Sequence, residues 1–336
     1  MRASEASNMN ARTIIAGTGS YLPEKVLTNF DLEKMVDTTN EWIVSRTGIH
    51  ERHIAEPEQA TSDLSTAAAI KALEMADVDP ADLDLIIVAT LTPDHHFPST
   101  AGFVQRNLGA KKAAAFDLEA ACTGFIYALT IGDLFIRSGT YQKVLVIGAE
   151  VLSKFLDWED RDTCVLFGDG AGAAVLVPGE DMDRGIISTH LHSDGTKAEL
   201  LYAPAGVSRM PITKEGLDQK LNTVKMQGHE VFKIAVTRLS SVVDEVLEAN
   251  GMTEKDIDFL VPHQANYRII QATARKLKLP MEKVVVTVDK HGNTSAASVP
   301  LALDVAVRGE MINQGDRVLL EAFGGGFTWG AALVRW

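Results

Sequence analysis

Cysteine is almost missing from this chain: Cys122 and Cys164 are the only two among 336 residues. Two thiols cannot build a disulfide scaffold, and they fall short of a structural zinc site. A reducing compartment fits that usage, so a cytoplasmic location is expected. Aromatic residues are few, at 6%, which leaves a core built on small and aliphatic side chains, suited to close packing of helices on sheets. Positive charge is in deficit. The 32 Lys and Arg set against 45 Asp and Glu give a formal net charge of -13. That balance repels polynucleotides and anionic lipid surfaces, so neither nucleic acid nor membrane is expected as a partner, although a local basic patch remains open. Long apolar runs are also lacking, because Gly or charge interrupts each one before it could cross a bilayer. The opening MRASEASNMN has no apolar stretch of the kind export requires. Residues 1–10 are expected to form a flexible tail, with Met9 as an alternative start.

What is present is globular material, 46% hydrophobic and 23% charged, and its order is informative. TIIAGTG at 13–19, DLIIVATLT at 84–92, AAAFDL at 113–118 and KVLVIGAE at 143–150 read as buried strands. Between them, DLSTAAAIKALEMADV and TGFIYALTIGDLFIRSG read as helices, the second closed by Gly139. Buried strands separated by helices predict an α/β fold. The second half repeats the order of the first. EMADVDPADLDLIIVAT has a counterpart in VLEANGMTEKDIDFLVPHQ, AAAFDLEAACTGF in VVVTVDKHGNTSAA, KVLVIGAE in DRVLLEAFGG, and GAGAAVLV in TWGAALVRW. The offset, roughly 160 to 175 residues, is far longer than any solenoid repeat, and a duplicated domain explains it. The expected organisation is a first half at 11–178, an insertion rich in turns at 179–225 and a second half at 226–336.

In parallel sheets, functional residues gather at the carboxyl ends of strands. Three such junctions carry reactive groups: Cys122 after DLEAA, His263 after DFLVP and Asn293 after VVVTVDKHG. Cys122 stands where a strand turns into a helix, and the positive end of that helix is expected to lower its pKa and make it a nucleophile. Each residue also has an ordinary reading: a buried inert thiol, a structural histidine, a turn asparagine. Cys164 lacks such a setting and is expected to be structural. GTGSYL and GDGAGA lack the context of a nucleotide fingerprint, and His95 and His96 are adjacent in a loop, so no metal site is expected.

DLEAACTGF, VPHQAN and HGNTSAAS, together with EWIVSRTGI, FGDGAGAA and the terminal GGGFTWGAALVRW, resemble β-ketoacyl-acyl-carrier-protein synthase III in collinear order from about residue 11 to the end. The resemblance implies a thiolase-like fold: two duplicated α/β halves whose central mixed sheets stack as α-β-α-β-α. It implies a decarboxylative condensation of an acyl-coenzyme A primer, expected to be acetyl, with malonyl-acyl carrier protein, initiating fatty acid synthesis. Acyl-coenzyme A is then a substrate and no cofactor is expected. Cys122 would be acylated, His263 and Asn293 would stabilise the enolate, and the amides of Cys122 and Gly325 would form an oxyanion hole. A thiolase would show a second cysteine in FGGGFTWG, and an elongating synthase a second histidine in place of Asn293.

Trp42 and Arg46 lie four apart and share a helical face, either as an ordinary surface pair or as a clamp for a planar ring. The resemblance places the coenzyme A adenine between Trp42 and Arg161, with further contacts from Arg46, Thr47, Gly228, Phe232 and Asn266. Arg268, Arg275 and Lys276 on NYRIIQATARKLKLP, with Lys233, form either a docking patch for an acidic carrier protein or a solvated basic helix. Phe97, by resemblance, reaches across a homodimer interface into the partner's acyl pocket. Two alternatives stay open: initiation of a specialised pathway with another primer, and a Cys–His–Asn hydrolase. A non-catalytic acyl-binding protein is disfavoured by the presence of all three groups.

Overall fold

The computed structural model describes residues 12–180 and 182–336; the tail expected at 1–10 lies outside the described residues. The first sheet contains β1 (Thr13–Tyr21), β2 (Leu85–Ala89), β3 (Ala114–Leu118), β4 (Val144–Glu150) and β5 (Gly170–Pro178), ordered β1-β5-β4-β2-β3. β2 runs parallel to β3 and β4, while β5 is antiparallel to β4 and β1. The second sheet contains β6 (Gly185–Ser193), β7 (Phe259–Pro262), β8 (Arg317–Gly324) and β9 (Thr328–Arg335), ordered β7-β8-β9-β6. β7 and β8 are parallel, and β9 is antiparallel to β8 and β6. The two sheets therefore share one topology, with β2, β4, β5 and β1 matched by β7, β8, β9 and β6. The place of β3 is taken by Val284, which makes a single parallel bridge to Leu260.

Two sequence expectations need correction here. The strand read at VVVTV is reduced to that one bridge before a short helix at Val288–His291. The insertion expected at 179–225 contains a structural strand, because β6 pairs along its length with β9 and is the second half's counterpart of β1. The second half thus begins near Gly185, before the expected 226.

The longer helices are α1 (Asn40–Thr47), α2 (Thr61–Ala76), α3 (Thr100–Leu108), α4 (Gly124–Arg137), α5 (Gly228–Ala249), α6 (Tyr267–Lys276) and α7 (Ser298–Arg308). Alternation along β2 assigns the layers. Leu85, Ile87 and Ala89 pack with Phe125 and Leu129 of α4 and Val299 and Leu303 of α7, between the sheets. Ile86 and Val88 face outward against Leu64 and Leu73 of α2 and Val104 of α3. On the far side, Leu239 and Val243 of α5 and Ile270 of α6 cover Leu319 and Leu333. Five layers result, as a strand buried on both faces requires. Asp304 of α7 accepts from Thr18 Oγ1 at 2.8 Å, Ser20 Oγ at 2.5 Å and Arg308 Nε at 2.8 Å, tying the second half to β1 of the first. Among the described residues, no helix is long and apolar enough to cross a membrane.

Candidate active site

The duplication produces two matching turns. Ala121–Thr123 and Ser295–Ala297 each form one 3-10 turn that leads into α4 and α7. Each opens on a residue in left-handed backbone, Ala121 with φ 46° and Ser295 with φ 49°. Such a conformation costs a non-glycine residue about 1–3 kcal/mol and persists where surrounding contacts over-determine it. Here the contacts are plain. Thr328 Oγ1 donates to Ala120 O at 2.8 Å, and Thr123 Oγ1 donates to Thr328 O at 3.1 Å, binding the first turn to β9. Gly324 fits so closely that a Cβ there would stand 2.5 Å from the Cys122 amide nitrogen.

Cys122 at the first turn is buried, 7% exposed. Burial pushes its thiol up to about 12 and Glu150 adds to that, while Ser295 and the amides of Cys122 and Gly325 pull it down. The lowered pKa expected from the helix terminus is therefore overturned, and the resting group is a thiol because desolvation outweighs the amides. Cys164 is also buried, and burial raises it to about 11.

His263 follows β7, and its amide donates to Glu321 O at 2.8 Å. Burial drives its ring down to about 3, so the imidazole is neutral. Ser298 Oγ lies 2.5 Å from Nδ1, and the same hydroxyl oxygen accepts the Gln264 amide at 3.3 Å. A Ser298 hydroxyl that donates to Nδ1 leaves the ring proton on Nε2, on the pocket side. Asn293 is held similarly. Its amide donates to Leu166 O at 2.9 Å, its carbonyl accepts from Gly168 at 3.0 Å, and Oδ1 accepts from the Ser295 amide at 2.9 Å. The side-chain carbonyl is thereby used, and Nδ2 is the end left to donate.

Cys122, His263 and Asn293 line a single pocket of about 550 Å³. Trp42, Arg46, Thr47, Gly228, Phe232 and Asn266 line it too, as do Lys233 and Arg268. Asn266 Nδ2 donates to Arg46 O at 2.9 Å while its Oδ1 caps α6, so one side chain joins α1 to α6. Gly325 stands beside this pocket next to Cys122. Arg161 is absent from the lining and stacks on Trp42, 4.7 Å from the ring centre, with Arg46 also at 4.7 Å. The gap expected between Trp42 and Arg161 is thus filled by the guanidinium, which also donates to Asp37 O at 3.0 Å. Arg275 and Lys276 lie outside, on the exposed face of α6, where Lys276 pairs with Asp244 at 2.7 Å. Lys233 pairs with Glu230 at 3.2 Å, and Arg268 stacks over Phe232 at 5.3 Å. Phe97 is outside as well, 85% exposed.

Sequence reasoning missed the apolar lining. Phe167 sits beside Asn293 through a parallel bridge, and Leu201 pairs with Met226 in a two-residue ladder. FGDG hinted at the first. Nothing local marked Leu201 or Met226, which become lining only once the chain is folded.

A duplicated α-β-α-β-α fold, with thiol, imidazole and carboxamide facing one pocket, defines a thiolase-fold condensing enzyme. Residues 116–195 match the family model for 3-oxoacyl-[acyl-carrier-protein (ACP)] synthase III, and residues 247–336 match that of its C-terminal part. The chain is 60% identical over 325 residues to β-ketoacyl-[acyl-carrier-protein] synthase III of Xanthomonas campestris, covering 96% of this chain and 98% of that one. It is 58% identical over 322 residues to the protein of that name from Caldanaerobacter subterraneus, covering 96% and 97%. The crystal structure of 3-oxoacyl-[acyl-carrier-protein] synthase III from Aquifex aeolicus superposes with a TM-score of 0.89 at 51% identity, covering 97% and 100%. The chain belongs to the β-ketoacyl-[acyl-carrier-protein] synthase III family, and is an acyl-transferring condensing enzyme.

Proposed function

We propose that Cys122 takes an acyl group, acetyl in the first instance, from acyl-coenzyme A, and that malonyl-acyl carrier protein then enters the same pocket. Decarboxylation of the malonyl unit puts negative charge on its thioester oxygen. His263 Nε2–H and Asn293 Nδ2–H donate to that oxygen, and the carbanion attacks the acyl-cysteine to give a 3-oxoacyl-carrier protein. The amides of Cys122 and Gly325 receive the oxyanion of the acyl carbonyl. The observation that carries this reading is the way both side chains are held from behind in the one pocket: His263 Nδ1 lies 2.5 Å from Ser298 Oγ, and Asn293 Oδ1 accepts from the Ser295 amide at 2.9 Å. With Ser298 donating to Nδ1, both side chains offer protons to a ligand, which suits enolate stabilisation better than base catalysis.

Around that centre, Trp42, Arg46, Thr47, Gly228, Phe232 and Asn266 hold coenzyme A, with Arg161 swinging off the indole to admit the adenine. Coenzyme A is here a substrate, and the chemistry asks for no resident cofactor. Lys233, Arg268, Arg275 and Lys276 meet the acidic carrier protein. Phe97, projecting from its loop, completes the acyl pocket of a second copy in a homodimer. Two buried free cysteines fit a reducing, cytoplasmic setting.

Incubation with acetyl-coenzyme A followed by intact mass tests the first half-reaction. One acetyl adduct is expected, absent in Cys122→Ala. Asn293→Ala should still be acylated, with malonyl-carrier-protein decarboxylation lowered on the order of 100-fold. Failure of Asn293→Ala to acylate contradicts the assigned role. A panel of acyl-coenzyme A primers then distinguishes acetyl from branched or longer chains.

A further inference from the structure

His263 and Asn293 hang on different halves of the molecule. The His263 amide is bonded to Glu321 O of β8, whereas the backbone of Asn293 is bonded to Leu166 and Gly168 of the first half. Two donors aimed at one oxygen must be held to within about 0.5 Å of the productive geometry. Something must therefore fix the end of β7 against the segment that carries Asn293. Two side chains join them. Ser298 is one, meeting both His263 Nδ1 and the Gln264 amide. The other is Gln264 itself, which the reaction as assigned above does not use.

Gln264 is fully buried. Its Nε2 donates to Pro262 O at 2.8 Å and to Val285 O at 3.0 Å, and its Oε1 accepts from the amides of Thr287 at 2.8 Å and Val288 at 3.0 Å. Two carbonyls at one end and two amides at the other orient the carboxamide and use its full bonding capacity. It stands where the strand expected at VVVTV gives out. In the first half, β2 pairs with β3 from Leu85 and Ala114 to Ala89 and Leu118. In the second, Val284 bridges Leu260, the Val285 amide donates to Leu260 O at 2.9 Å, and backbone pairing stops. From there the Gln264 side chain takes the place of a neighbouring strand. It also caps the short helix Val288–His291, whose N-cap Thr287 makes no side-chain bond of its own. That single turn is closed by the His291 amide on Thr287 O at 2.9 Å and the Gly292 amide on Val288 O at 3.1 Å, and Asn293 is the next residue. Gln264 thus clamps the residue beside one donor to the turn that delivers the other.

We propose that Gln264 is a positioning residue for decarboxylation, its carboxamide setting the separation of His263 and Asn293 so that both reach one thioester oxygen. This rests on the assignment of those two side chains as the donors to the malonyl unit. Gln264 touches no substrate and acts through the backbone on either side of it. Acylation lies outside its reach, because the Cys122 turn and Gly325 are held by Thr328 of β9 instead, through Ala120 O at 2.8 Å and Gly325 O at 3.3 Å. Losing the clamp leaves His263 on β8 and Asn293 on the first half, each still bonded, with the distance between them no longer set by a shared side chain.

Gln264→Met keeps the length of the side chain and gives up all four bonds, while Gln264→Glu keeps an oxygen toward the two amides and gives up the donated pair. Decarboxylation of malonyl-carrier protein, measured without primer, should fall about 10- to 100-fold in Gln264→Met and less in Gln264→Glu. Single-turnover acylation by acetyl-coenzyme A, followed by intact mass, should stay within about twofold of the wild type in both. In an Asn293→Ala background no second donor is left to place, so adding Gln264→Met should cost decarboxylation less than about threefold more. Wild-type decarboxylation in Gln264→Met would overturn the proposal. So would acylation falling as far as decarboxylation, which marks general distortion, or losses that multiply in the double variant. Should Gln264→Met not fold, Gln264→Glu is read in the same way, and failure of both to fold marks a purely structural residue and overturns the proposal too. Decarboxylation left untouched by Asn293→Ala alone would instead remove the donor assignment, and this inference with it.

Discussion

His263 and Asn293 differ from ordinary buried polar residues in what their neighbours leave free. The Ser295 amide occupies Asn293 Oδ1, which leaves Nδ2 to donate, and Ser298 Oγ engages His263 Nδ1, which leaves Nε2 to meet a ligand. The same reasoning exposes an unusual neighbour, Glu321. It is fully buried, neither carboxyl oxygen makes a well-formed hydrogen bond, and its backbone carbonyl holds the His263 amide. Burial raises its carboxyl from 4.5 to about 8, with Thr273 opposing. An acid carried protonated in the fold ionises on unfolding, so the folded state binds the extra proton and stability falls as pH rises from about 4.5 to about 8. Glu321→Gln removes that term. Its Tm relative to the wild type should be higher at pH 8 than at pH 5, and a difference independent of pH would refute the buried neutral acid. At this scale the sequence named the reactive groups but misjudged Cys122, because a helix terminus is visible in a sequence and full desolvation is not.

Among the elements, the long strands and helices were legible. β2, β4 and β5 are apolar on both faces, α2 and α4 carry clear helical patterns, and their extents differ from expectation by a few residues. β6 was not legible. GIISTHLHS alternates weakly because it is an edge strand, and His190 and His192 on it are satisfied by Glu245 of α5 at 2.9 and 2.6 Å. Polar residues with a distant partner read locally as loop. The functional turns depend on close backbone approach instead. Alanine at Gly148 would drive its Cβ into the Ala296 carbonyl, with backbone on both sides and no side chain able to yield. Gly148→Ala should destabilise the protein by on the order of 1–3 kcal/mol or more and should lower acylation and decarboxylation together, because the displaced turn carries Ser295 beside Asn293. Thermal melts with both partial assays check this; unchanged stability would show that the turn can move.

Across the whole molecule, charge separates two jobs. The chain is strongly acidic, yet the mouth of the pocket and the exposed face of α6 are basic. Arg268 stacks on Phe232 within the pocket, so reversing it would disturb both substrates, and Lys276 is already engaged by Asp244. Arg275 is exposed outside the pocket and is the cleaner probe. Arg275→Glu should raise KM for the carrier-protein substrate about 3- to 10-fold at low salt, less at high salt, and leave KM for the coenzyme A thioester unchanged. Steady-state kinetics with each substrate varied in turn measure this, and equal effects on both would count against docking at this face.

By itself the sequence determined the duplicated α/β plan, the nucleophile's place at a strand–helix junction, and the family, because periodicity, glycine-rich junctions and collinear motifs are properties of neighbouring residues. Tertiary structure decided which atoms of His263 and Asn293 are engaged, that the Cys122 thiol is desolvated, and that Arg161 lies on Trp42. Apart from the Ser295 amide on Asn293, these depend on groups tens to hundreds of residues apart, brought together by two sheets and the helices between them, and no local pattern can carry that information.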